Sequence, residues 1–119
     1  MLFESIHHIA IIGRNYNKTK EFYIEKLGFE IISEHHRVDK NDIIINVEKE
    51  NVVLEIFIKE DAPLRPPIPN PENTGLRHLA FKVKDVEKTL EEFDSLKIVH
   101  QGLRYDDFDG KKMAFFFDP

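Results

Sequence analysis

The sequence predicts an α+β fold built from two pseudo-symmetric modules of βαβββ order, and three observations carry that prediction. The first is a repeat. His-Ile-Ala at residues 8–10 returns as His-Leu-Ala at residues 78–80, 70 positions on, and self-similarity at a fixed offset marks a duplicated unit. The second is the order of periodic segments, which runs strand, helix, strands on both sides of a proline-rich stretch. The third is length: 119 residues support one domain with a real core and little more. The chain therefore reads as a single domain over residues 1–119, with modules 1–60 and 75–119 joined by a linker at 61–74.

Residues 3–12 alternate and are rich in branched side chains, which reads as a strand. Gly13-Arg14-Asn15 interrupts it, and Asn15 is placed to cap a helix. Phe22, Tyr23, Lys26 and Leu27 recur at spacings of three and four, so a helix runs over residues 19–27. Gly28 supplies the left-handed residue that ends it. Residues 29–38 read as a long strand closed by the turn residues 39–42. Residues 43–47 and 52–58 make a hairpin around Glu50-Asn51, which completes the first βαβββ.

Residues 61–74 hold all the prolines but the last, which excludes a helix or interior strand and makes an extended linker. Residues 76–83 read as the next strand, and Asp85 caps a second helix over 86–96 with Val86, Leu90, Phe93 and Leu96 on one face. Residues 98–101 and 113–117 read as strands, with Asp109-Gly110 turning into the latter. The second half is thus βαββ. Its last run, Met-Ala-Phe-Phe-Phe, is apolar enough for a sheet interior, and an open aromatic edge invites aggregation. The repeat accordingly predicts one more strand after Pro119, missing from these residues; an edge supplied by a partner is the alternative.

Composition narrows the function classes. Hydrophobic residues make up 41% and charged residues 33%, within the range of soluble globular chains. The net charge of −5 with scattered basic residues argues against nucleic acid and anionic membranes as partners. The absence of cysteine excludes a disulfide scaffold, thiolate ligands and a cysteine nucleophile. The apolar runs are too short to span a bilayer, and Met1-Leu2-Phe3-Glu4 has neither the cationic start nor the length of a signal peptide. A cytoplasmic protein is expected.

The repeat also implies a site. Alternate residues of a strand share a face, so His8 points with Ala10 and Ile12, and His78 with Ala80 and Lys82. The two alanines leave room beside each imidazole. Glu55 lies between Leu54 and Ile56 on the opposite face to both, and an acid among apolar neighbours in mid-strand is costly unless paired or bound to a metal. Two neutral imidazoles with one or two carboxylates suit a first-row divalent ion with positions left for water and substrate. Glu55 displaced by the 70-residue offset falls six residues past Pro119, where a further acidic ligand is expected.

Other conspicuous residues have blander readings. His7 has the opposite parity to His8 and reads as a packing or surface residue. His35 and His36 are strand neighbours that face opposite sides, and His100 has no partner in sequence. Asp106, Asp107 and Asp109 lack the alternation of a calcium loop and read as a solvated turn. Arg65 and Arg77 could hold an anionic group or serve structure alone. Phe22, Tyr23 and Phe93 read as core.

Taken together, His-His-Ile-Ala-Ile at 7–11, Phe22-Tyr23 with Leu27-Gly28-Phe29, Leu54-Glu55-Ile56, Gly75-Leu76-Arg77-His78-Leu79-Ala80-Phe81 and the closing Phe116-Phe117-Asp118-Pro119 resemble the vicinal oxygen chelate superfamily, over essentially the whole chain. Within it, the chain is most similar to the small bacterial glyoxalase I-like proteins. The resemblance implies paired βαβββ modules whose curved mixed sheets enclose a metal and substrate cavity. It implies His8, Glu55 and His78 as three of four metal ligands, the fourth being a glutamate a few residues beyond Asp118-Pro119. The cofactor implied is one divalent ion, with nickel, cobalt and zinc all compatible. The activity implied is that of a lactoylglutathione lyase: methylglyoxal detoxification by proton transfer within a thiol–methylglyoxal hemithioacetal, through an enediolate stabilised by the metal. Glu55 is the candidate base within these residues. An epimerase of methylmalonyl-CoA type and a non-catalytic small-molecule binding protein are the alternatives. A small-molecule substrate and a homodimer are the expected partners.

Overall fold

In the computed structural model, which describes residues 2–66 and 72–119, the chain forms two compact units. One comprises the residues up to Ala62 together with Asp118–Pro119, the other Pro63–Phe117. The part of the expected linker at 67–71 lies outside the described residues.

The first unit opens with strand β1 (Ile9–Gly13) and helix α1 (Tyr16–Lys20), which runs on as a π-helical stretch over Glu21–Lys26. Asn15 sits in extended backbone and its side chain accepts the Lys18 amide at 2.9 Å, satisfying one of the amides that a helix start leaves without a partner. The widened turn shows in the Leu27 amide, which donates to the Phe22 carbonyl five residues back at 2.9 Å. Gly28, at φ 80°, takes the left-handed conformation that a β-carbon would strain, and Phe29 then turns into the core.

Strands β2 (Glu30–Arg37), β3 (Asp42–Lys49) and β4 (Val52–Ile58) follow as antiparallel neighbours, and β4 lies parallel to β1, giving the order β1-β4-β3-β2. Parallel neighbours need a long crossover, and everything from α1 to β3 supplies it. Register sets Ile9 beside Leu54 and Val47, and Ile11 beside Ile56 and Ile45. These rows form the core with Phe22, Tyr23 and Phe29; Ile45, Val47, Leu54 and Ile56 are each at most 1% exposed. Each such side chain contributes about 1.5–3 kcal/mol by leaving water. Gly13 marks the closest approach of β1 to α1, where a β-carbon would come within 2.9 Å of the Thr19 Oγ1. Tyr23 anchors the end of the chain: its hydroxyl donates to Asp118 Oδ2 at 2.6 Å. Burial, reinforced by that acceptor, pushes the phenol's pKa up.

The second unit holds α2 (Val86–Ser95) and a short hairpin of β5 (Arg104–Tyr105) with β6 (Lys112–Met113). Asp85 caps α2 by accepting the Lys88 amide at 3.0 Å. The hairpin continues beyond its regular pairs, since the Gln101 amide donates to the Phe115 carbonyl at 2.9 Å and the Phe117 amide to the Val99 carbonyl at 3.1 Å. His100 bridges to Phe116 while Arg104 pairs with Met113, so four steps on one strand oppose three on the other. Gly102, at φ 81°, absorbs that bulge, which is why the strands expected at 98–101 and 113–117 are irregular. Leu90 and Ile98 are buried, and the Phe93 and Phe116 rings meet at 4.8 Å between centroids.

Two expected strands differ in extent. Residues 76–83 form no ladder. The segment still docks by its side chains, with Phe81 6.3 Å from the Phe116 ring centre. Likewise β1 begins at Ile9 rather than Phe3. Its partner β4 starts at Val52, two residues before the Ile9–Leu54 pair, so residues 3–6 run past the start of β4. No helix among the described residues is long and apolar enough to cross a membrane.

Candidate metal centre

On the face of the first sheet opposite the core, register places Ala10, Glu55, Asn46 and Ser33 abreast across all four strands. The row is polar in its middle, and Asn46 Nδ2 donates to Ser33 Oγ at 3.0 Å. Two residues before Ala10, His8 turns its Nε2 toward Glu55 Oε1 at 3.8 Å, with the side chains 39% and 28% exposed. His8, Glu55, Asn46 and Ser33 line a cavity of about 270 Å³, together with His7 and the apolar Ile32 and Val53.

The His8–Glu55 separation is too long for a hydrogen bond. It suits two donors to one ion, because atoms each about 2.1 Å from a zinc-like cation lie at most about 4.2 Å apart. A neutral imidazole and a carboxylate are also the donor types such an ion takes. Among the described residues no three His, Asp or Glu side chains form a ready metal cage; His8 and Glu55 stand as a pair. His78 belongs to the second unit, where it is exposed and packed T-shaped against Phe115 at 5.7 Å between ring centroids.

Further along the same open face lies a charged row. Arg37 grips both carboxylate oxygens of Asp42, Nε to Oδ1 at 2.7 Å and Nη2 to Oδ2 at 2.6 Å, and Lys59 Nζ donates to Oδ2 at 2.8 Å. The Asp42 side chain is fully buried between them. The Arg37 hydrogen bonds, then those of Lys59, hold its carboxyl well below the usual carboxylate range. Both cations lie over the Phe57 ring, Arg37 at 5.5 Å and Lys59 at 5.9 Å. This row fixes the sheet end next to the cavity.

The other residues weighed from sequence fall as follows. His35 lies opposite Ile44 on the open face, whereas His36 pairs with Glu34 at 3.1 Å. His100 is held structurally, between Asp94 at 2.6 Å and the Gly102 amide at 3.0 Å. Asp106 caps its own turn through the Phe108 and Asp109 amides. Arg77 bonds Glu72 at 2.6 Å, and Arg65 is exposed. Three polar cavity residues, His7, Ser33 and Asn46, are not among the predicted site residues. His7 lies beside His8 because both precede β1, where strand parity does not operate. Ser33 and Asn46 enter the site through cross-strand register, which could have been traced outward from Glu55 through the Glu50-Asn51 turn.

The comparisons agree on a family. The Glyoxalase/Bleomycin resistance protein/Dioxygenase superfamily matches residues 5–119. The uncharacterized protein YwkD of Bacillus subtilis is 42% identical, over 100% of this chain and 92% of its own length. A glyoxalase family protein from Enterococcus faecalis is 51% identical with a TM-score of 0.93, covering 100% of this chain and 93% of that one. More distant structures share the fold alone. The trypanothione-dependent glyoxalase I of Leishmania major is 19% identical with a TM-score of 0.70, covering 98% of this chain and 81% of its own. The fosfomycin resistance protein FosX of Listeria monocytogenes is 18% identical with a TM-score of 0.78, covering 98% and 87%.

Proposed function

This chain belongs to the Glyoxalase/Bleomycin resistance protein/Dioxygenase superfamily, and on that premise we propose that it is a metal-dependent lyase or isomerase of glyoxalase I type. The observation that carries the reading is the pair of His8 Nε2 and Glu55 Oε1, 3.8 Å apart in one cavity wall. His8 and Glu55 would hold one divalent ion, nickel, cobalt or zinc, with His78 as the second imidazole by its repeat offset. When bound, that ion supplies Lewis acidity toward adjacent oxygens of a small α-hydroxy-carbonyl compound. In this proposal the Glu55 carboxylate takes the proton from one carbon and returns it to the next, turning a thiol–methylglyoxal hemithioacetal into a lactoyl thioester. Asn46 and Ser33 orient the polar end of the substrate, and Ile32 and Val53 exclude water from it.

We read the two units as the paired modules, 1–60 and 75–119, of one cytoplasmic domain that acts as a homodimer. The test is a panel of assays on the metal-loaded protein. Turnover of methylglyoxal with a thiol, and none of methylmalonyl-CoA, is the expected outcome. Epimerisation of methylmalonyl-CoA alone would assign the proton transfer to a different substrate. Tight binding of small molecules with no turnover of either would mark a binding protein on this fold.

A further inference from the structure

Each unit carries an arginine stacked on a phenylalanine, and the two stacks differ in one respect. In the first unit Arg37 lies over Phe57 at 5.5 Å, and Asp42 fills its guanidinium fork through bonds of 2.7 and 2.6 Å. In the second unit Arg104 pairs with Met113 across the hairpin, and its Cζ lies 5.4 Å from the centroid of the Phe115 ring. Phe116 packs on Phe93 of α2, so its neighbour Phe115 turns to the other side. There the Phe115 ring also meets His78, at 5.7 Å between centroids. Arg104 and His78 therefore share one aromatic neighbour.

Arg104 has no counterpart of Asp42. It makes no hydrogen bond or ion pair among the described residues. Asp106 and Asp109, on the turn that follows it, accept that turn's own amides. A guanidinium offers five N–H donors in a planar fork that matches a carboxylate or phosphate-type oxyanion. Stacking restricts the fork, so less freedom is lost when an anion arrives. Arg104 is exposed, which opens the fork to an anion from outside the chain. We propose that Arg104 is a specificity-determining residue that receives the oxyanion end, carboxylate or phosphate-type, of a small-molecule ligand. That this anion is part of the substrate rests on the function proposed above; that Arg104 binds it does not. On that function the thiol of the hemithioacetal carries the anionic group, and Phe115 spaces that group from His78.

The test uses probes that cannot react. (Methylthio)acetate, methylphosphonate and the neutral (methylthio)acetamide are each titrated into metal-free protein and followed in 1H–15N spectra. Both anions are expected to give saturable shifts centred on the Arg104 Nε–H and the Phe115 backbone, and the neutral probe none. Arg104→Gln should weaken anion binding by about 10–100-fold, as loss of a charged hydrogen-bonding partner does. Arg104→Lys keeps the charge without the fork and should fall between. Saturation by one anion alone would uphold the site and name its chemistry. Shifts that never saturate, or that Arg104→Gln leaves unchanged, would overturn it. A kinetic arm carries the result to the substrate. With metal-loaded protein, mercaptoacetate should be preferred over mercaptoethanol as the thiol partner of methylglyoxal, through KM rather than kcat, and Arg104→Gln should erase that preference. Equal use of both thiols by the wild type would overturn the substrate assignment. Saturable anion binding with no turnover of either adduct would uphold Arg104 and overturn the glyoxalase reading instead.

Discussion

Replacing Glu55 with glutamine is expected to lower turnover by about 10²–10⁴-fold, the range that one positioned general base supplies, while leaving the fold intact. Both halves follow from where Glu55 sits. It makes no short hydrogen bond among the described residues, and its nearest charged or titratable partner is His8 at 3.8 Å. Glutamine keeps the shape and one carbonyl oxygen but cannot take up a proton. Metal content measured on the same sample separates two roles: retained metal with lost turnover makes Glu55 the base, and loss of both makes it first of all a ligand. Glu55→Gln with wild-type turnover would remove it from the chemistry.

The largest effect on stability is expected at Asp42. Its carboxylate is buried between Arg37 and Lys59, so Asp42→Ala leaves two cations together over one phenylalanine ring without their counterion. Removing one member of a buried, hydrogen-bonded charge cluster is among the costliest single changes, and the thermal midpoint should fall by on the order of 10 °C. The same cluster sets a pH dependence. The folded-state pKa of Asp42 lies below the ordinary 3.8, so in acid the unfolded chain binds more protons at this group than the folded one. Its stabilising contribution is therefore complete above that value and is lost as the pH falls below it. Glu34 and Asp106 are lowered too, so the wild type alone mixes several groups. Melting curves of wild type and Asp42→Asn from neutral pH downward isolate the difference: the gap should narrow in acid, and a constant gap would contradict the account.

Many elements of both units could be read from their residues because the signals there are local. Asn15 and Asp85 cap their helices as side-chain acceptors, Gly28 takes positive φ, and the alternation over residues 52–58 marks β4 to the residue. Features set by neighbours distant in sequence were harder. A strand needs a ladder as well as a pattern, so residues 76–83 carry the pattern without the pairing. The π-helical widening at Glu21–Lys26 and the Gly102 bulge leave no periodic signature. At the candidate site, the repeat pointed to His8 and strand parity to Glu55, and both line the cavity. Asn46 depends on the register of β3 against β4, set by the Glu50-Asn51 turn, and Ser33 on that of β3 against β2, which carries an irregularity between Ile31 and Ser33. His7 escaped because alternation was extended back past the first paired residue.

Metal titration tests the central claim most directly. Protein purified without chelators is predicted to bind one equivalent of nickel, cobalt or zinc, and His8→Ala and His78→Ala are each predicted to abolish that binding with an unchanged circular dichroism spectrum. No stoichiometric binding by the wild type, or wild-type affinity in either variant, would contradict it.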